Sequence, residues 1–407
     1  MLKADKSALR AAMPRDPIAA RREYAGPALF SYGFRPFFLF GALWAALAAP
    51  IWMGVFLSGG ATVGTAPALA WHVHEMVFGF LAAIIAGFLL TAVPNWTGGL
   101  AVMGGRLAGL FGLWAAGRAA MLAQGAAPVA AAIVDSAFLV LFAAMIWREV
   151  LLGGNRRNAP VCALTSLLAL ANIGFHAALI TGADWRAAQG AAIAAVAMLI
   201  ALIGGRITPS FTRNWMTQRG MSDLPAAMGA FDAGALAAAG AGLLAWILAP
   251  MDWFAGALLL IAGAMHAIRL ARWKGWHTTA EPLVTILHVG YAWLPLGLVL
   301  MGASAIAPGP VPASAALHAL TAGAMGTMTL AVMTRATLGH TGRDRAADAW
   351  TRLIYGLVVA GALIRVLAPI ALGAGQYAAL GAGAALWSAA FAVFVLRYGP
   401  MLVAPRR

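Results

Sequence analysis

Histidines within apolar segments are the residues of this sequence best suited to bind a metal or a cofactor, because ionisable groups in a membrane are costly and usually functional. His72 and His74 stand two residues apart in the stretch 71–79, where a long apolar segment begins. Residues two apart on a helix point about 200° away from each other. The two imidazoles are therefore expected to serve two sites rather than to chelate one ion.

Two further histidines are expected at a similar depth. His176 lies near the end of the fifth apolar segment, and His318 lies about two turns into the tenth. Neutral imidazole binds haem iron and copper, and methionine suits cuprous ion. One of His72 and His74 is thus a candidate haem ligand. His318, which is expected at a depth similar to that of His74, is the candidate for the second axial ligand. The other, with His176 or Met76, is a candidate copper site, although a lone buried histidine often only hydrogen-bonds a neighbouring helix.

A second group of candidate residues is basic and lies at the other ends of the apolar segments. Arginine forks bind oxygens in pairs, so these side chains are candidates to hold haem propionates, another anion or a quinone headgroup. The alternative is that they anchor the membrane topology and cap helix ends. The group consists of Arg35, Arg206, Arg335, His340 and Arg343.

The composition is that of a membrane protein. Of the 407 residues, 62% are hydrophobic and 10% are charged, whereas a soluble domain is about half apolar and about a quarter charged. The net charge of +14 would suggest nucleic acid in a soluble protein, but here the basic residues flank apolar segments, which indicates membrane topology and no nucleic-acid partner. The single cysteine, Cys162, excludes an internal disulfide and a cysteine-ligated cluster.

The apolar segments predict an all-α, polytopic membrane bundle of about twelve helices. Twenty-four of the 27 Lys and Arg residues lie before the first span, in the even-numbered joins or at the C-terminus. The positive-inside rule then predicts cytoplasmic termini, and only Arg118, Arg186 and Arg365 depart from it.

We divide the chain into a basic cytoplasmic tail, 1–36, a transmembrane bundle, 37–398, and a second basic tail, 399–407. The predicted spans are 37–57, 71–94, 106–124, 128–150, 160–180, 186–208, 226–249, 252–271, 281–302, 312–334, 350–371 and 376–398.

A longer-range pattern links the second, sixth and tenth spans. Each ends in a polar, threonine-containing stretch, at 91–97, 205–215 and 334–343. Because four spans separate successive stretches, the pattern predicts three four-helix arcs, with coincidence as the alternative.

Four ordered motifs resemble those of the NnrS family: 33–38, 71–76 with 91–98, 205–212, and 318–325 with 333–343. The resemblance implies a haem- and copper-containing bacterial inner-membrane protein of about twelve spans, associated with the response to nitric oxide and often with denitrification. The family positions carried over are His72, His74, His318 and His340, which stand inside these motifs.

The resemblance leaves three functions open. The first is a redox or nitric-oxide-handling protein, in which nitric oxide binds reduced haem or is reduced with electrons from quinol. A secondary transporter and a metal chaperone are the alternatives. A fold-level analogy to the catalytic subunit of haem–copper oxidases also places haem histidines on the second and tenth helices, but the sixth and seventh spans here lack histidine.

Overall fold

The structure is a computed structural model that describes residues 23–407. In that range it contains twelve long helices, which confirms the predicted all-α bundle. Eleven are long and apolar enough to cross a membrane, and the remaining one, α3, carries Arg106 and Arg118. The helices are α1 Phe34–Leu57, α2 Ala68–Thr97, α3 Gly104–Leu122, α4 Pro128–Leu152, α5 Ala159–Thr181, α6 Arg186–Thr217, α7 Ala230–Leu248, α8 Trp253–Ala271, α9 Pro282–Ile306, α10 Ala313–His340, α11 Ala349–Ala371 and α12 Gln376–Val403.

The joins between helices contain only short elements. An antiparallel pair, β1 Thr62–Val63 and β2 Ala66–Pro67, lies between α1 and α2. Single 3₁₀ turns are found at Ala28–Phe30, Arg156–Asn158, Gly275–Thr278 and Gly373–Gly375. Residues 1–22 of the predicted N-terminal tail lie outside the described residues, whereas α12 continues to Val403, into the predicted C-terminal tail.

The helices form a closed bundle around an inner group. Successive helices pack against each other, and α12 returns to pack along α1. In α2, α6, α9 and α10 at least 67% of the apolar stretch is buried, against at most 44% in the other candidate spans. Side chains on these four helices therefore meet in the interior, where polar groups need protein partners.

The threonine-containing stretches at the ends of three predicted spans are helical over most of their length. Helices α2 and α6 continue through their stretches to Thr97 and Thr217, and α10 continues to His340, three residues before its stretch ends. The hydroxyls of Thr91, Thr212 and Thr334 donate to the carbonyls four residues earlier, at 2.8 to 2.9 Å. Because these hydroxyls are satisfied inside the helix, the polar stretches extend the spans instead of ending them.

A π-helical segment interrupts each of the same three helices. The segments are Glu75–Leu81 in α2, Ile200–Gly204 in α6 and Ala319–Met325 in α10. Such segments are rare, and those that occur are often found at functional sites. Their recurrence at every fourth helix supports the repeat that the sequence pattern indicates.

A side chain from a neighbouring helix donates to a carbonyl of each π segment. The donors are Trp114 Nε1 to Gly79 O at 2.9 Å, Arg269 Nη1 to Ala201 O at 2.8 Å and Trp387 Nε1 to Ala322 O at 3.1 Å. A widened turn weakens the internal ladder, and an unpaired carbonyl in a bundle interior is costly. These three bonds therefore stabilise the widened turns.

Candidate functional site

A cavity of about 430 Å³ lies among α2, α6 and α10, at the end of the bundle where these helices begin. His72 and His318 both line it, and we call it the histidine cavity. Its wall is mostly apolar and rich in aromatic rings, so a ligand with a large flat apolar surface would be well covered there. The wall includes Trp52, Met76, Phe80, Trp185 and Trp387.

His318 is held with one ring nitrogen available. Its Nδ1 lies 2.7 Å from Ser314 O. A carbonyl oxygen only accepts hydrogen bonds, so Nδ1 carries the proton and Nε2 of the neutral ring keeps its lone pair. Metal-binding histidines commonly have this arrangement, which fixes the tautomer and raises the basicity of the ligand nitrogen.

His72 is held by stacking instead of by a hydrogen bond at Nδ1. Its ring lies parallel to Trp52, with centroids 4.7 Å apart and an interplanar angle of 12°. Its Nδ1 is buried without a hydrogen-bond partner in residues 23–407. The two cavity histidines therefore differ, since only His318 has a backbone acceptor that orients its ring.

Two of the three arginines that depart from the positive-inside pattern also line the histidine cavity. Arg186 pairs with Asp184 at 3.1 Å, and both side chains are largely exposed. Arg365 lies on α11, and its Nη1 is buried without a partner in the described part of the chain.

His74 does not share this cavity and instead belongs to a buried group that we call the ion cluster: His74, Glu75, Arg118, Asp135 and His176. The two nitrogens of His74 lie 3.2 Å from Glu75 Oε1 and 2.9 Å from Asp135 Oδ2. His176 Nε2 is 3.0 Å from the same Asp135 oxygen. Arg118 donates to Glu75 Oε2 at 2.6 Å and to Asp135 Oδ1.

Neighbouring residues complete and shape the ion cluster. Asn172 donates to Asp135 Oδ2 at 2.8 Å, and Trp44 donates to Glu75 Oε2 at 2.6 Å. A Cβ on Gly79 would lie 2.2 Å from Arg118 Nη1, and one on Gly117 would lie 2.7 Å from Asp135 Oδ1. Glycine at these two positions makes room for the charged groups.

The charges of the ion cluster do not balance when both histidines are neutral. Two carboxylates then face one guanidinium, which leaves one negative charge in a site whose members are all at most 6% exposed. Both ring nitrogens of His74 face carboxylate oxygens, so either the ring carries two protons, or one carboxyl is protonated and donates to the ring, or a cation shares one contact. Nitrogen and oxygen atoms of His74, Asp135 and His176 lie within 4.8 Å of one another and could hold a metal ion.

The expected pairing of His74 with His318 is corrected by the structure, which brings His72 and His318 to one cavity and His74 to the ion cluster. The prediction of two separate sites for His72 and His74 agrees with this placement. Met76 lines the histidine cavity and does not join His176. Depth along the helix could be read from the sequence, but the rotation of α2 about its axis could not.

A second cavity, of about 480 Å³, lies near the opposite ends of α2, α6 and α10, and we call it the arginine cavity. Arg335, His340, Arg343 and Arg345 line it beside apolar side chains. The guanidinium of Arg335 lies 4.1 Å from the ring centre of Phe211. Burial lowers the pKa of Arg343, and the nearby positive charges of Arg407 and Arg397 lower it further, as expected where cations crowd together.

The remaining basic candidates lie elsewhere. Arg35 donates to Leu402 O at 2.9 Å and to Ala404 O at 2.6 Å, which caps the end of α12. Arg206 donates to Asn158 Oδ1 at 2.9 Å. For Arg35 the helix-capping alternative therefore describes the observed contacts.

Several site residues were not singled out from the sequence. In the sequence, Arg118 and Arg365 stand out only as departures from the charge pattern, and Asp135 is not assigned to a site. Asn172 and Trp52 gave no usable signal, since amides and aromatic rings are common in membrane helices.

Comparison with known proteins identifies the family. No curated protein matches the chain. The family described as NnrS protein matches residues 28–406, which include both cavities and the ion cluster. The chain therefore belongs to the NnrS family.

Proposed function

We propose that this membrane protein binds haem in the histidine cavity and binds nitric oxide at the haem iron. Membership of the NnrS family links the chain to the nitric oxide response, and its long apolar helices make it a multi-pass membrane protein in contact with lipid. The observation that carries the proposal is the meeting of His72 and His318, from helices far apart in sequence, at one mainly apolar cavity.

The residues of the cavity fit haem in three respects. Two half-buried imidazoles offer nitrogen ligands for iron, and histidine is a common haem ligand. Aromatic and aliphatic side chains cover a flat apolar group. The guanidinium of Arg365, whose Nη1 is buried without a partner within residues 23–407, provides the positive charge that a propionate would need.

The two histidines would have unequal roles. His318, whose Nδ1–H is held by Ser314 O, would be the stronger ligand through Nε2. His72, which lacks that support, would be the weaker ligand. When bound, reduced haem iron would supply the nitric-oxide-binding chemistry, and the apolar wall around His72 would limit the access of water to this ligand.

An optical spectrum of the purified, reduced protein, with and without nitric oxide, tests this assignment. His318→Ala is expected to lose most of its haem. His72→Ala is expected to keep haem but to change its spectrum and bind nitric oxide faster. His277→Ala, an exposed histidine of the loop before α9, is the matched control and should behave like the wild type. Absence of a Soret band in the wild type, or full haem occupancy with an unchanged spectrum in both variants, would refute the proposal.

We further propose copper at His74 and His176, with Asp135 as the third ligand. Two imidazoles and a carboxylate suit copper, although the same set also suits non-haem iron. A bound cation would offset the residual negative charge of the ion cluster. Metal analysis of the wild type, His176→Ala and the control His277→Ala distinguishes these metals. Equal metal content in all three proteins would contradict the site.

The electron donor we propose is a quinol at the arginine cavity, which would make the protein a nitric oxide reductase and not only a carrier. The support is that Arg335, Arg343 and Arg345 line the same cavity as several apolar side chains. Their guanidinium groups can donate hydrogen bonds to quinol oxygens. Oxidation of a water-soluble quinol by nitric oxide, compared between the wild type and Arg335→Gln, tests this step. Equal rates in both proteins would refute the arginine cavity as the donor site.

The same proposal places the chain in the bacterial inner membrane with both termini in the cytoplasm. The support is the distribution of 24 of the 27 Lys and Arg residues. Reporter fusions at residues 154, 182 and 407 test it, because the first and third should report cytoplasm and the second the opposite side.

A further inference from the structure

We propose that Arg365 binds a carboxylate of the ligand in the histidine cavity and so sets the orientation of that ligand. The inference rests on the proposed haem site and deepens it, since it assigns the residue that recognises the acidic edge of the cofactor. It also replaces the sequence-based expectation that basic residues near the arginine cavity hold propionates.

Arg365 is a cation without a counter-ion in the part of the chain that the structure describes. It lies on α11 within a candidate membrane span and lines the histidine cavity. Its Nη1 is buried without a hydrogen-bond partner, and the guanidinium forms no ion pair within residues 23–407. The wall of the cavity contains no Asp or Glu. An unpaired charge in such surroundings is costly, and an anionic ligand would remove that cost.

The second arginine of the cavity wall lacks this property. Arg186 already pairs with Asp184, and its side chain is 75% exposed. Solvent and the neighbouring carboxylate therefore satisfy Arg186 when the cavity holds no ligand. The need for an anion is specific to Arg365.

A carboxylate is the anion that suits both Arg365 and the rest of the cavity. A guanidinium offers parallel N–H groups that match two carboxylate oxygens. The cavity otherwise covers a flat apolar body and offers two imidazoles, so the ligand class is a planar metal chelate with carboxylates at its edge. In haem, the propionates are these carboxylates.

The test compares haem with haem dimethyl ester, which lacks the ionised propionates. Protein produced without haem is titrated with each compound, and dissociation constants are read from the Soret band. The wild type is expected to bind haem at least about ten-fold more tightly than the ester, as for a lost bond to a charged group. Arg365→Met should bind both equally, Arg365→Lys should keep part of the preference, and Arg186→Met should keep all of it.

Two further readouts separate recognition from folding. Loss of a positive charge near the iron should lower the haem midpoint potential in Arg365→Met. The thermal stability of the haem-free Arg365→Met protein should equal or exceed that of the wild type, because an unsatisfied charge has been removed. A lower stability of this form would mean that Arg365 serves the fold and would overturn the inference.

The possible outcomes distinguish this inference from the function it rests on. Failure of the wild type to bind haem would refute the haem site, and the inference with it. Binding of haem by the wild type, with a preference for haem over the ester that survives in Arg365→Met, would refute only the role of Arg365.

Discussion

Replacement of Arg269 by methionine is expected to destabilise the bundle strongly. Arg269 is fully buried on α8 and donates to three partners on three other helices. Its Nε lies 2.7 Å from Asp232 Oδ1, and its Nη1 lies 2.8 Å from both Ala201 O and Tyr291 Oη. The bond to Ala201 joins α8 to the π segment of α6, so the loss affects the inner group of helices.

The size of the effect follows from these contacts. A hydrogen bond to a charged group contributes about 1.5–3 kcal/mol, and each of the others contributes about 1 kcal/mol. The loss is then about 3.5–5 kcal/mol, which lies within the range of about 3–5 kcal/mol for removing one partner from a buried ion pair. His266 Nε2 donates to Ala235 O, so His266 Nδ1 accepts a hydrogen bond from the Tyr291 hydroxyl. The Tyr291 oxygen therefore loses its donor when Arg269 is replaced, which adds to the loss.

The free energy of unfolding, measured by titrating detergent-solubilised protein with sodium dodecyl sulfate, checks this value. The double variant Arg269→Met with Asp232→Asn should lose less than the sum of the two single variants, because no fully buried charge is left unpaired. Arg272, which also contacts Asp232 at 3.4 Å, keeps access to solvent because its side chain is 33% exposed. Arg352→Met, which alters an exposed arginine on α11, should change stability by less than about 0.5 kcal/mol. A loss below about 1 kcal/mol for Arg269→Met, or strict additivity in the double variant, would refute the reasoning.

Three other predictions concern the π segments, the ion cluster and a helix terminus. Trp387→Phe removes the donor to Ala322 O and should cost about 1–2 kcal/mol in the same unfolding assay, whereas Trp350→Phe at an exposed site should be neutral. Gly79→Ala places a Cβ 2.2 Å from Arg118 Nη1, which should displace the ion cluster and lower the metal content measured by elemental analysis. Gly112→Ala on α3, with open space around the added Cβ, should leave the metal content unchanged. Burial opposes ionisation of Asp348, but hydrogen bonds from Thr351 and Arg397 outweigh it and lower the pKa of the carboxyl below 3.8. Its contribution is therefore present above about pH 4 and lost as the pH falls through the folded-state pKa. Asp348→Asn should be less stable than the wild type at pH 7, and the gap should narrow in unfolding titrations as the pH falls below about 4; a constant gap would contradict the pKa shift.

The positions of the twelve helices could be predicted from the sequence because membrane spans depend on local apolar length. The same local reasoning placed the ends of α2, α6 and α10 too early. Polar residues such as Thr91 and Thr334 look like span ends, yet their hydroxyls bond to the preceding turn and the helix continues. Composition alone does not distinguish these two situations.

The partners within the site could not be predicted in the same way. Which of His72 and His74 faces His318 depends on the rotation of α2, and the π segment at Glu75–Leu81 changes helical phase immediately after His74. Helical periodicity would place Glu75 with His72, but its carboxylate contacts His74. Reading of side-chain faces from a regular helix fails where the helix is irregular.

The three arginines that depart from the charge asymmetry are the most informative residues of the sequence. A basic residue away from the cytoplasmic end opposes the expected topology, and one inside the bundle also loses hydration. Each such residue therefore needs a compensating contact or a ligand. Arg118 has Glu75 and Asp135, and Arg186 has Asp184. Arg365 is the member of the three without a protein counter-ion in the described chain, which is why we propose that the ligand of the histidine cavity supplies the anion.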